Sequence, residues 1–592
     1  MIESGGTDRD ATGTKAFLPD SRSRVSHLLR RTRSSIMSLS RHDGERLFLY
    51  PAIAVSILAY FFIRANVPIC LEPAAVQDDG LFFSHAYSLL NGDWLGPYSQ
   101  FTLVKGPGYA LFLAFISLFR FPETLAVATL NCASIGIVSY MTQRVFRSSF
   151  LAFVVFESLL WNFGPDTLRA IRETIYTPEC LVTFACLVLA LFVAKERRFY
   201  CAALSGLALG WFWITREEGL VILPTIAILG AAAFHKTIKK GGSVRPITKT
   251  FVALVSLAVL VVASIATTNL ITYGVFRVVD IKGNFQKALE ALESVKPYKY
   301  VQFVAVPEST RGKVYRISPR FAQLKRFLDE HSAVQDWKQV GCPVYPSSCG
   351  DYAGGWFMWA LRDAVADDGQ YLDAQAASTF YHQLAQDIEK ACRAGTVTCE
   401  GRVIPFMPRV NKAQLARIPS SVQSVIRRFA FADPPWRDTP PSFGSDRLIR
   451  GTAYFLNVAN YSPPPALTEP FTALPATTFA VQTRKQIIDL YAGFLPALLL
   501  IGMLSFVALA MRVIYKRSYS IEFAVLFAAW IAVAVRVAVL VLIDISSFPA
   551  ILNQYLSYAF PLLYYVCICS IFLVCRSLAT LPNDHVSDPE TS

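Results

Sequence analysis

The sequence predicts an all-α polytopic membrane protein, and three observations carry that expectation. Of 592 residues, 53% are hydrophobic and 13% aromatic, only 17% are charged, and the mean hydropathy is +0.39. Soluble domains carry about 25% charge, and one soluble core stops growing at roughly 250–300 residues. The apolar residues also gather into eleven runs. In hydrocarbon the backbone amides must bond within their own segment, so such runs are helices and not open strands. The net charge of +13, from 56 Lys and Arg against 43 Asp and Glu, sits largely in short basic clusters beside those runs, where it orients a membrane protein. A soluble enzyme, a disordered scaffold and a nucleic-acid binder are thereby excluded.

Residues 1–46 are polar and hold nine Lys or Arg, among them Arg30, Arg31 and Arg33. No short apolar stretch followed by small cleavage residues is present, so this segment reads as a flexible basic cytoplasmic tail and not a signal peptide. The first run, Leu47–Ile63, is long enough to cross about 30 Å of hydrocarbon. Others lie near 103–119, 124–142, 148–162, 179–194, 200–214, 219–235, 250–272, 487–511, 520–543 and 553–575. Basic clusters at Arg144/Arg147, Lys195/Arg197/Arg198, Lys236/Lys239/Lys240 and Lys516/Arg517 place those loops in the cytoplasm. The stretches 163–178, 215–218 and 273–486 then face the other side. Eight spans before residue 273 would return the long segment to the cytoplasm, so one early run must fail to span. The run 103–119, whose uninterrupted apolar part is short, is the one expected to do so. The resulting organisation is a tail (1–46), a transmembrane module (47–272), an extracytoplasmic domain (273–486), C-terminal membrane helices (487–575) and a cytoplasmic tail (576–592), about ten or eleven membrane helices in all. The expected location is the inner (plasma) membrane.

The segment 273–486 is expected to be mainly helical. Helical periodicity marks Phe285–Leu292, Phe321–Asp329, Gln370–Ala394 before Gly395, and Lys412–Phe431. Pro434–Pro441 and Pro463–Pro470 read as extended linkers back to the membrane. Of twelve cysteines, seven lie in apolar runs as small hydrophobes, while Cys342, Cys349, Cys392 and Cys399 lie here in two pairs seven residues apart. Matched spacing outside the cytoplasm favours disulfides, as two local loops or two cross-links. Zinc and free thiols are the rival readings, and no close His pair or tight Cys spacing supports zinc. No metal site is expected.

Charged groups at membrane depth are costly and mark function by default. Four clusters on the expected outer side qualify. In Gln77-Asp78-Asp79-Gly80, two adjacent carboxylates at a membrane surface suit a general base; the alternative is an N-cap at Asp79. In Leu103-Val104-Lys105-Gly106-Pro107-Gly108-Tyr109, the lysine can neutralise a phosphate while glycines let the backbone approach; the alternative is a snorkelling lysine. Arg169, Arg172, Glu173, Tyr176, Pro178 and Glu179 form the third. If helical, Arg169 and Arg172 would share a face and clamp an anion, against a plain surface Arg–Glu pair. The fourth, Thr215-Arg216-Glu217-Glu218-Gly219, packs three charges between two apolar runs, with mutual pairing as its structural reading.

Together these motifs resemble an integral-membrane glycosyltransferase of the GT-C type. The resemblance rests on the acid pair in the first outer loop, an amphipathic stretch with Ala86 and Leu89-Leu90 before Asn91-Gly92, the Lys105-Gly106-Pro107 opening of the next run, and Thr215–Gly219. It is nearest the bacterial branch grouped with protein O-mannosyltransferases and aminoarabinose transferases, and covers about residues 45–275. The chain departs from the family in having Asp78-Asp79 for its usual Asp-Glu and Lys105-Gly106-Pro107 for its Lys-Pro-Pro. The resemblance implies a GT-C-like helical bundle, a polyprenyl-phosphate sugar donor, inverting transfer, and a lipid, glycan or protein acceptor. Asp79 or Asp78 would be the base; Lys105, Arg172 and Arg216 would receive the leaving phosphate; Glu179, Glu217 and Glu218 would orient the sugar or the cations. No cofactor is required, though a divalent cation is compatible with the acids. Membrane lipids are the remaining partner, and no nucleic acid is expected.

Two other functions are compatible with a polytopic protein of this kind. A lipid-linked sugar flippase would line a path with charges and show inverted repeats, and none is seen. An O-antigen ligase or polymerase would use the same donor with Arg and His in a large outer loop. His331 and His382 lie there, in amphipathic stretches typical of surface positions.

Overall fold

The computed structural model describes residues 49–216, 218–330, 333–400, 410, 412–433, 435–465 and 475–579. The tail 1–46, Glu217, His331 and the end of the C-terminal tail lie outside the described residues. The chain divides into two units, Met1–Ser56 and Ile57–Ser592. The described part of the first is the opening of helix α1 (Leu49–Asn66); the rest of α1 and every later element belong to the second.

Described residues form helices and connecting loops without a sheet; pairing between extended segments is limited to isolated bridges. After α1 come α2 (Asp79–Leu90), α3 (Gly108–Leu118), α4 (Glu123–Phe146), α5 (Ser149–Leu160), α6 (Glu173–Val188, prolonged by a wider turn over Leu189–Val193), α7 (Arg198–Thr215), α8 (Leu223–Lys239) and α9 (Arg245–Tyr273). The inserted segment carries α10 (Asn284–Ser294), α11 (Glu308–Ile317), α12 (Trp356–Asp367), α13 (Ala374–Arg393), α14 (Ile418–Phe429) and α15 (Asp446–Phe455), with shorter turns between them. The chain closes with α16 (Pro475–Lys516), α17 (Ile521–Ser546) and α18 (Ala559–Ala579).

The protein is therefore an all-α polytopic membrane protein. Seven helices among the described residues are long and apolar enough to cross a bilayer: α1, α4, α6 with its extension, α9, α16, α17 and α18. The other four apolar runs are helical too: α3, α5 and α8 are shorter, and α7, with 18 residues like α1, is not among the seven. The run 103–119 yields only the eleven residues of α3, a rise of about 17 Å against a hydrocarbon layer of about 30 Å. Local chemistry sets the ends. Ser148 and Ser520 accept from the amides of Leu151 and Phe523 and so cap α5 and α17, and α9 stops at Gly274, whose φ is +74°. Glycine permits the closest helix contacts. A Cβ on Gly206 of α7 would stand 2.5 Å from the Leu254 carbonyl oxygen of α9, and one on Gly210 2.7 Å from the Val261 Cβ. This is small-residue packing of the membrane kind.

The inserted segment contributes to two cores. One is its own, built from Phe285, Leu292, Val314, Phe321, Phe357, Leu361, Phe380, Leu384 and Ile388. The helix expected over Gln370–Ala394 starts later, because Asp373 caps it by accepting from the Ala376 amide, and ends before Gly395 at φ +70°. Those expected over Phe321–Asp329 and Lys412–Phe431 are each broken in two, at Leu324 and at Ala416–Arg417 before Pro419. Cys342 is bonded to Cys349 and Cys392 to Cys399, so both bridges are local loops. The second core joins Ile449, Ala453 and Leu456 of α15 and its C-cap to Ile69, Phe82, Tyr109 and Leu113. The linker expected over Pro463–Pro470 lies outside the described residues beyond 465. That expected over Pro434–Pro441 is described from 435 and held at Thr439, whose hydroxyl donates to the Pro68 carbonyl, and the chain just after it is held too. Phe443 donates its amide to the Leu71 carbonyl, and the Ser442 hydroxyl accepts from the Leu71 amide.

Candidate functional site

The four charged clusters meet at one end of the membrane helices. Asp78 and Asp79 lie at the head of α2, where a turn folds back over Gly80. A Cβ on Gly80 would come within 2.3 Å of the Pro73 carbonyl oxygen, so only glycine fits. Neither carboxylate caps the helix. Asp78 occupies the cap position without making that bond, and Asp79 turns to Arg169, with Nε at 2.5 Å from Oδ2.

Lys105 is delivered by the backbone around it. A Cβ on Gly106 would lie 2.0 Å from the Ile214 carbonyl oxygen, and one on Gly108 2.5 Å from Thr215 Oγ1. The two glycines therefore let this segment press against the end of α7. From the other side the Asp280 amide donates to the Leu103 carbonyl at 2.8 Å. Lys105 then pairs with Asp78.

Arg169 and Arg172 do not share a helix face, because α6 begins only at Glu173. Arg169 lies instead in an isolated bridge with Cys70. Its guanidinium contacts Glu72 at 2.7 Å and Asp78 at 3.3 Å as well as Asp79. Arg172, at the α6 cap, stands 5.8 Å from the Phe82 ring centroid, and Lys105 5.4 Å from the same ring. The Arg172 Nε is 3.8 Å from Glu173 Oε1. Arg216 pairs with that same carboxylate and, at 3.2 Å, with Glu218.

The result is a chain of opposite charges running from Glu72 through Arg169, Asp78 and Lys105, past Arg172 to Glu173, Arg216 and Glu218. It includes Asp78, Asp79, Lys105, Arg172, Arg216 and Glu218 of the residues expected from sequence. Glu179 stands apart, largely buried further along α6, where its Oε1 accepts from the Thr215 hydroxyl at 2.9 Å. Among the described residues no group of three or more His, Cys, Asp or Glu is placed to hold a metal ion. His382 is exposed on α13.

Burial and neighbours separate the two aspartates. Burial works to raise the Asp78 carboxyl, but Lys105 and then Arg169 hold it at about 2, and its side chain is 31% exposed. Asp79 is 0% exposed. Burial raises it well above the usual carboxylate range against the pull of Arg169, and its Oδ1 is enclosed without a hydrogen-bond partner. Burial likewise lowers Lys105 against the pull of Asp78. Asp78 is thus an ionised carboxylate with an open side, beside cations able to meet an anion.

Sequence reading missed two sets of partners. Arg536 of α17 donates from Nη1 to Glu218 at 2.6 Å and from Nε to the Tyr555 carbonyl at 2.7 Å, and the Tyr555 ring lies 5.3 Å from the Arg216 guanidinium. The available signal was a charge in the middle of the apolar run 520–543. The second set is Asp166, which accepts from Arg64 at 2.9 Å and from Arg484 at 3.3 Å. It ties α1 and α16 to the loop that carries Arg169.

No family model matches the chain, and no curated protein matches it. Two solved structures do. One is the oligosaccharyltransferase of Archaeoglobus fulgidus in the apo form, at 12% identity and a TM-score of 0.39. The other is oligosaccharyltransferase AglB of the same organism in complex with an inhibitory peptide and a dolichol-phosphate, at 13% identity and a TM-score of 0.38. Each match covers 90% of this chain and 51% of the other, so the chain spans about half the length of those proteins.

Proposed function

We propose that the chain is an integral-membrane glycosyltransferase of the GT-C type. In this reading it moves a sugar from a polyprenyl-phosphate donor to an acceptor hydroxyl at the extracytoplasmic membrane surface. One observation carries the reading: carboxylates and cations from four separated stretches gather into one row at the ends of membrane helices, with Asp78 open at its side. The local pairs Cys342–Cys349 and Cys392–Cys399 support an oxidising, extracytoplasmic compartment for the inserted segment.

The mechanism is built on the charges. The acceptor oxygen must lose a proton as it attacks the anomeric carbon, and Asp78 takes it. Asp79, enclosed, orients Arg169 and so fixes Asp78. Negative charge gathers on the departing phosphate, where Lys105, Arg172 and Arg216 stabilise it. As Lys105 turns toward the phosphate, Asp78 loses its strongest neutralising partner and becomes a better base. Glu179 holds Thr215 against Gly108 and so keeps the Lys105 segment in register. The prenyl chain stays in lipid throughout.

The test is turnover of purified protein in vesicles holding a radiolabelled polyprenyl-phosphate sugar and extracted envelope glycolipids and proteins. Release of polyprenyl phosphate with labelled acceptor is expected, falling about 10²–10⁴-fold in Asp78→Asn. Movement of the donor across the bilayer without turnover would replace this reading with the flippase, and full activity in Asp78→Asn would remove the base.

A further inference from the structure

Glu218 occupies a place shaped for a larger anion. Its carboxylate bridges two arginines brought from distant stretches, accepting from Arg216 Nη2 at 3.2 Å and from Arg536 Nη1 at 2.6 Å. The arginines are 5% and 0% exposed, while the Glu218 side chain is 32% exposed. The cations form the floor and the carboxylate the open side.

Donors remain after Glu218 is seated. Arg216 Nε, Arg536 Nη2 and the hydroxyls of Tyr176 and Tyr558 are all enclosed without a hydrogen-bond partner. They belong to one cluster. The Tyr176 and Tyr558 rings meet at 5.7 Å, and the guanidiniums of Arg216 and Arg536 stand 5.7 and 6.0 Å from the Tyr176 centroid. Buried donors left unpaired are unfavourable and call for an explanation. A carboxylate offers two oxygens; a phosphate offers three free oxygens and more charge, matched to paired guanidiniums. Arg536 also lies inside membrane helix α17, where a charge is retained for function by default.

We propose that Arg216, Arg536, Tyr176 and Tyr558 form a phosphate cradle in which Glu218 is a stand-in, displaced when the phosphate group of a prenyl phosphate enters. This rests on the polyprenyl-phosphate donor of the proposed function. It adds Arg536 as a residue that binds the departing group, and it makes Glu218 a competitor for that site and not a sugar ligand.

The experiment measures thermal unfolding and binding of the purified full chain with farnesyl phosphate, inorganic phosphate and farnesol as probes. Glu218→Gln is expected to unfold at lower temperature than wild type without ligand, to gain more from farnesyl phosphate, and to bind it about tenfold more tightly. Arg536→Lys is expected to bind about tenfold more weakly, the loss of one charge-assisted hydrogen bond, and farnesol should do nothing. Equal stabilisation by inorganic phosphate would support the cradle but overturn its lipid source. If wild type binds farnesyl phosphate while both variants match it, the cradle falls and the donor stands. If wild type binds none, the donor falls too.

Discussion

Asp78 and Asp79 are neighbours in the chain, yet the turn closed by Gly80 sends their carboxylates to different surroundings. The first keeps an open side beside Lys105, and the second is enclosed against Arg169. Their isosteric variants should therefore fail differently. Asp78→Asn should lose turnover and also lower the unfolding temperature, because the buried Lys105 loses its carboxylate partner. Asp79→Asn leaves Arg169 paired with Glu72 and Asp78, and because burial already disfavours the charged Asp79 carboxyl it should change the unfolding temperature little, a split read by pairing activity with thermal unfolding. His85 offers a pH test. Burial pushes its imidazole down to about 4, so the unfolded chain binds a proton that the folded chain refuses between about pH 6.5 and 4. Its full contribution is present above that window and is lost as pH falls through it, about 3 kcal/mol in all. Unfolding temperature measured against pH should show that drop in wild type and a flatter curve in His85→Gln.

At the scale of elements, the Lys105-Gly106-Pro107-Gly108 segment depends on contact with the end of α7. Gly106→Ala would drive a methyl group to 2.0 Å from the Ile214 carbonyl oxygen. The expected cost is about 1–3 kcal/mol, with weaker farnesyl phosphate binding because Lys105 moves with the backbone; thermal unfolding and binding of the same sample measure both. The membrane runs were legible because length and apolarity are local properties, and the Asp78, Lys105 and Arg216 motifs because each keeps its charges within a few residues. What lay beyond the sequence was non-local. Arg169 and Arg172 would have shared a face only on a helix, and pairing with Cys70, about a hundred residues earlier, holds Arg169 outside α6. Arg536 was visible as a charge in the middle of an apolar helix, yet Glu218, its partner, is 318 positions away. The breaks at Leu324 and Arg417 fall inside stretches whose apolar periodicity runs straight through them.

For the whole molecule, the inserted segment both folds on its own core and braces the site, through the Leu103–Asp280 bond and the packing of 435–465 against residue 71 and α2. Its two bridges each close a short loop, worth about 2 kcal/mol apiece. Reduction should lower its unfolding temperature, and thiol labelling of the native protein should spare Cys342, Cys349, Cys392 and Cys399 until reductant is added. The central claim, that four distant stretches form a single prenyl-phosphate site, is tested most directly by photo-crosslinking. A farnesyl phosphate carrying a diazirine near the phosphate would be bound to the reconstituted protein, irradiated and mapped by peptide mass spectrometry. Labelled peptides should come from 77–82, 101–109, 169–179 and 211–219 together, and excess unlabelled farnesyl phosphate should abolish them. Labelling confined to lipid-facing stretches such as 252–260 of α9, undiminished by competitor, would contradict it.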